Sequence, residues 1–241
     1  MLSEVRFDRE LVDSGVTCLC QGGGLRAVLL EDLDRYVFFA QIRRGVTGRM
    51  TPLQVGLTSQ GLWATMAYRL EHYARYRLRS RLLRLPPAVF HRLVMVLTGI
   101  RLDAGAHIGP GLKIPHGGRI EMGPVRIGEN CDIFQGVTVG ESMTTLDEDD
   151  PRSGVPTLGD RVWVGPGAVI AGELTVGDDA VVGANSLLVR DVPPLGVVLG
   201  VPARLVSRRG SFAQILYRGM DNDDKRKLAL AEREAGPARI R

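Results

Sequence analysis

From Leu102 onward an apolar residue returns at every sixth position, and few folds can use such a period. The series runs Leu102, Ile108, Ile114 and Ile120, steps once by seven, and continues at Ile127, Ile133 and Val139. After a polar interruption it resumes at Leu158, Val164, Ile170, Val176, Val182 and Leu188. An α-helix repeats near 3.6 residues and a half-buried strand every two, so neither accommodates a period of six. Hexapeptide repeats in a parallel β-helix do. Each six-residue side is a short strand plus a turn, three sides close one triangular coil, and coils stack at about 4.8 Å. The repeated side chain points inward, and a small or apolar residue four positions on (Val162, Ala168, Leu174, Ala180, Ser186, Val192) fills the space beside it. Glycine often follows the repeat position, as at Gly109, Gly128, Gly159 and Gly177, where the chain must turn a tight corner. Periodicity leaves the handedness of the coil open.

The fold class expected is mainly β with an α-helical N-terminal part. Residues 1–30 form a mixed extension broken by Gly22-Gly23-Gly24. Residues 31–100 form a helical domain: a helix around 32–44, a second from Ser59 as N-cap to Arg84, and a third over 87–98 ended by Gly99. Pro86-Pro87 is expected to stop the second and start the third. The β-helix spans 101–206, with an extended loop over 141–157 that is too polar to continue the core. Such a loop reads as functional or as a solvated acidic insertion. Residues 207–241 form a tail with short helical stretches at 212–217 and 223–234.

Composition removes several classes. A hydrophobic share of 44% is too high for a disordered chain, and the 30 glycines show no period of three. No apolar run approaches the ~20 residues of a membrane span, and no secretory signal is visible at the start. Three cysteines without a matching second pair fit a reducing compartment and give no zinc motif. The net charge of +4 hides a split. Residues 43–101 carry eleven arginines and one acid, Glu71, whereas 102–206 carry fourteen acids and seven bases. No aromatic-interleaved or helix-turn-helix pattern accompanies the arginines, so they read as a helical face rather than a nucleic-acid site.

Several blocks, in order, resemble the serine acetyltransferase family. These are Gly61-Leu62-Trp63-Ala64 with Ala67-Tyr68-Arg69 and His72, then Pro115-His116-Gly117, then Ile133 to Gly140, then Asp191-Val192-Pro193-Pro194 and Gly200-Val201-Pro202-Ala203-Arg204. The resemblance covers residues 61–206. It implies a left-handed coil, a cytoplasmic homotrimer or dimer of trimers, and acetyl-CoA lying between two β-helices as co-substrate, with no metal. His116 matches the family's catalytic base, and an imidazole titrating near neutrality suits removal of a hydroxyl proton. Gly140, Gly165, Gly183 and Ala184 match positions beside the pantetheine arm. Arg190 and Arg204 are candidates for the 3′-phosphate end.

Departures shape the rest. Where the family has the aspartate that orients its base, this chain has Arg101, and Asp103 two residues on is the candidate replacement. The family's loop Arg-His-Pro aligns with Gly154-Val155-Pro156, and no acid stands between Tyr36 and Gln60. Each lost charge-assisted bond is worth about 1.5–3 kcal/mol. The expected activity is therefore a CoA-dependent O-acetyltransferase with a sugar-type acceptor. The alternatives are a serine O-acetyltransferase and a non-catalytic β-helical scaffold. The chain ends Ile240-Arg241 rather than in a free isoleucine, so docking to cysteine synthase is not expected.

Overall fold

The computed structural model describes residues 24–43, 52–141 and 154–235. All thirteen repeat positions are at most 2% exposed. They stack into one apolar column because every third strand returns to the same sheet. The first sheet is β1 (Ile100–Leu102), β3 (Ile120–Met122), β6 (Thr138–Gly140), β9 (Val169–Ala171) and β12 (Leu187–Leu188). The second is β2 (His107–Ile108), β4 (Arg126–Ile127), β7 (Thr157–Leu158) and β10 (Thr175–Val176). The third is β5 (Asp132–Ile133), β8 (Trp163–Val164), β11 (Val181–Val182) and β13 (Val197–Gly200). It is extended by Lys113 bridging to Asp132 and closed by antiparallel β14 (Ala203–Ser207). All other strand pairs named here are parallel, so the result is a three-sided parallel solenoid.

Register shows where the sequence departs from six. Thr157 pairs with Thr175 and Trp163 with Val181, one coil of eighteen residues apart. Thr138 pairs with Val169, so the extra residues between β6 and β7 leave the coil without breaking the stack. Most of that excursion, 142–153, lies outside the described residues, as do residues 1–23, 44–51 and 236–241, the last including the Ile240-Arg241 end.

Helices α1 (Leu25–Arg43), α2 (Pro52–Thr58), α3 (Gln60–Arg77) and α4 (Arg81–Thr98) precede the solenoid. The expected helix through Arg84 ends instead at Arg77, where Leu78 turns to extended geometry. The expected break at Pro86-Pro87 is corrected too: α4 runs straight through both prolines. The two missing N–H donors fall early in the helix and forgo only the carbonyls of Leu82 and Leu83, which are solvent-exposed and left to water. Gly99 ends α4 as expected, at φ 66° with its N–H on Met95 O.

Helix α3 lies across the first coil. Gly61 permits the approach, since a Cβ there would stand 2.1 Å from Ile114 O. The Tyr68 hydroxyl donates to Ala106 O at 2.6 Å. Arg69, one of the arginine-rich block, is fully buried, paired with Asp32 at 2.8 Å and donating to Gly109 O at 2.6 Å.

A second buried cluster joins α1 to the third sheet. Asp132 accepts from Arg35 at 2.7 Å and forms an ion pair with Lys113 at 2.8 Å, and Arg35 also donates to Gly111 O, Asn130 Oδ1 and Leu216 O. Lys113 sits 3.5 Å over the Phe39 ring. Burial pushes the Asp132 carboxyl up and the Lys113 ammonium down, while each partner's charge pulls the other back.

The C-terminal segment folds back along the edge between the second and third sheets. Gly210 N–H donates to Leu195 O, Ser211 N–H to Asp179 O, and Ser211 Oγ to Arg161 O. Residues 212–217 form a turn and extended chain rather than the expected helix, and the charged helix, α5, spans Asp224–Ala235. Among the described residues no helix is long and apolar enough to cross a membrane.

Candidate active site

The solenoid has three long edges. The edge between the second and third sheets is covered by α1 and the C-terminal segment through Arg35, Arg161, Asp179 and Ser211. The other two edges carry the candidate residues.

His116 lies on the third-to-first edge, after the Lys113 bridge and before β3. It is exposed, and its ring nitrogens hydrogen-bond to none of the described residues. Its ring centroid is 6.1 Å from Phe134, which lies 5.0 Å from Trp163. Neighbouring Gly117 is in close contact with Gln60 at the start of α3. Gly165, Gly183 and Ala184 occupy the same edge in later coils. A Cβ on Gly165 would meet Ala184 N at 2.7 Å, so that position demands glycine, whereas one on Gly183 would meet the end of the Leu199 side chain, which can move aside.

Gly140, Arg190 and Asp103 lie on the first-to-second edge, at the ends of β6, β12 and β1 respectively. Asp103 and His116 are thus separated by the full width of the first sheet. The Asp103 carboxylate is committed locally, accepting from Gly105 N–H at 2.6 Å. A two-residue shift along a strand keeps the face but moves Asp103 past the end of β1 and around the corner. Arg204 is on β14, opposite Leu199.

The residue standing at the family's aspartate position, Arg101, pairs with Glu121 at 3.2 Å in the next coil. The two are register partners on the outer face of the first sheet, twenty residues apart, whereas an eighteen-residue coil would have set Arg101 beside Arg119. Phe134 directly follows a repeat position and Trp163 directly precedes one, which marks both as outward-facing beside this edge. A cleft of about 570 Å³ opens where the end of α4 meets the first sheet, with Arg92, Arg101, Arg119 and Glu121 among its lining residues. The other histidines are buried packing elements: His72 meets Ala104 O at 2.9 Å, His91 contacts Glu71, and His107 packs on His72 and Tyr76. Among the described residues no group of three His, Cys, Asp or Glu side chains is placed to hold a metal ion.

Comparison with known proteins bears on the family to which the chain belongs. Residues 156–190 match the bacterial transferase hexapeptide (six repeats) family model. The chain is 35% identical over 161 residues to a serine acetyltransferase of Synechococcus elongatus, a match spanning 66% of this chain and 62% of that protein. It is 34% identical over 156 residues to the Helicobacter pylori (strain J99) serine acetyltransferase, covering 64% of this chain and 86% of that one. Soybean serine acetyltransferase complexed with serine superposes with a TM-score of 0.62 at 28% identity, over 76% of this chain and 69% of the other. These relatives overturn the expectation of a sugar acceptor. That expectation took the missing clasp residues as a missing clasp, yet a chain can hold the same charges with other side chains, and the cleft beside β1 is lined with cations.

Proposed function

The chain belongs to the serine acetyltransferase family, and on that premise we propose that it moves the acetyl group of acetyl-CoA to the hydroxyl of L-serine, with His116 as general base. The imidazole takes the hydroxyl proton as the serine oxygen attacks the thioester carbonyl. The tetrahedral intermediate then expels the CoA thiolate, which recovers that proton, giving O-acetylserine and free CoA. No acyl-enzyme is required, because the thioester is already activated and both substrates are held together. The observation that carries this reading is an exposed histidine with both ring nitrogens uncommitted, on an open edge beside Gly165, Gly183 and Ala184. Backbone at Gly140, Gly165, Gly183 and Ala184 is assigned to the pantetheine arm, and Arg190 and Arg204 to the phosphate end.

The remaining family features go with this reading. The coil is taken as left-handed, with residues 31–100 as a helical domain, 101–206 as the catalytic one and 207–241 as a tail. Cytoplasmic location suits an acetyl-CoA donor. The working unit is a homotrimer, so that one protomer's His116 edge faces its neighbour's first-to-second edge across the donor groove. Self-association draws support from α4, which leaves Leu82, Leu85, Val89, Leu93, Val96 and Leu97 between 49% and 81% exposed along one side. A contiguous stripe of six large exposed apolar side chains is the kind of surface that marks a protein–protein contact. The helix is basic and the solenoid acid-rich, which favours seating against a neighbour's solenoid rather than against its own copy.

Thiol release from acetyl-CoA with L-serine tests the reading in wild type and His116→Ala. Loss of general-base help predicts a fall in kcat of about 10²–10⁴-fold with unchanged assembly. Equal turnover in both would remove His116 from the mechanism, and absence of both turnover and CoA binding in the wild type would favour a scaffold.

A further inference from the structure

We infer that Arg119, with Arg92 and Arg101, forms the subsite that takes the carboxylate of the acceptor; this rests on the serine acetyltransferase reading. The cleft of about 570 Å³ lies within the size range of small-ligand pockets. Three guanidinium groups line it against one carboxylate, Glu121, which is already engaged by Arg101 at 3.2 Å. Arg92 and Arg119 make no ion pair with any described residue. The cleft therefore carries positive charge that no described protein group answers.

Position and chemistry agree. Arg119 is three residues beyond His116 on the same corner, at φ 51°, and lines the cleft. Met95, Val96 and Ile120 supply the apolar part of the lining beside the three exposed guanidinium groups. A planar carboxylate matches the guanidinium fork in a way that a hydroxyl or ammonium does not. Gly154-Val155-Pro156 stands where the resemblance places a loop arginine and histidine, so those three positions supply no charge to a carboxylate. A rival explanation is structural: cations beside the C-terminal turn of α4 answer its exposed carbonyls.

The test compares L-serine with L-serinamide, which lacks the carboxylate, in wild type, Arg119→Gln and Arg92→Gln. Arg119→Gln should raise the KM for L-serine about tenfold or more, as loss of one charge-assisted bond requires, and leave the KM for acetyl-CoA unchanged. The wild-type preference for serine over serinamide should collapse with it. Unchanged serine KM in both variants, with only a lowered Tm, assigns the arginines to the helix end and overturns the inference. Calorimetric binding of L-serine separates the two claims. Binding without turnover sinks the proposed reaction but keeps the subsite if Arg119→Gln weakens it, whereas no binding at all overturns the subsite.

Discussion

Replacing Asp132 by alanine removes the one carboxylate that Arg35 and Lys113 share in the interior. Arg35 keeps its bonds to Gly111 O, Asn130 Oδ1 and Leu216 O, but among the described residues Lys113 keeps just the Phe39 ring against its ammonium. Breaking a buried pair by deleting one partner costs about 3–5 kcal/mol, because a charge stays behind without compensation. At roughly 2–4 °C per kcal/mol for a chain of this size, Tm should fall by roughly 6–20 °C. The identity of the stranded charge can be checked. Burial already depresses the Lys113 pKa and Asp132 pulls it back up, so Asp132→Ala depresses it further. Between that lowered value and the ordinary lysine range the unfolded chain binds more protons than the folded one, so the variant should gain stability as pH rises from 7 to 9. Adding Lys113→Met should recover part of the loss at pH 7. Urea unfolding of the three proteins at both pH values measures all of this. A loss under about 1 kcal/mol, or a double variant no more stable than the single one, would refute the reasoning.

Gly61→Ala should destabilise by about 1–3 kcal/mol despite better helix propensity, because the added methyl would overlap the Ile114 backbone, whereas Gly56→Ala, with open space around it, should be neutral or stabilising; thermal melts of both give the contrast. Leu93→Glu with Val96→Glu should yield monomers by light scattering with helix content intact, and persistence of the assembled state would clear α4 of any role in assembly.

How far the sequence reaches depends on how local each feature is. The thirteen repeat positions were readable because burial in a solenoid is periodic, and all of them are interior. Proline broke the local rule at Pro86-Pro87 because its cost depends on which carbonyls lose a donor, and those two face water. The Arg35–Asp132 pair bridges 97 residues, a distance over which no spacing rule operates. At the candidate site the blocks around His116 single it out in the sequence, and the structure leaves it exposed on an edge. Its surroundings were not legible: Asp103 has the right charge and face, yet its carboxylate caps its own turn, and Arg101 finds Glu121 only through coil register. The acceptor was misjudged for a related reason, since absent residues say little about what other residues supply.

A stack of coils that touch only their neighbours could fray from its open end one rung at a time. Here the returning chain stitches Leu195, Asp179 and Arg161 together, then reaches α1 through Leu216 O on Arg35 and Arg218 on Asp34. Last rung and first helix are thereby fastened to one another, so the molecule should melt in a single step, and cutting that lacing near Gly210 should let the far rungs unzip early.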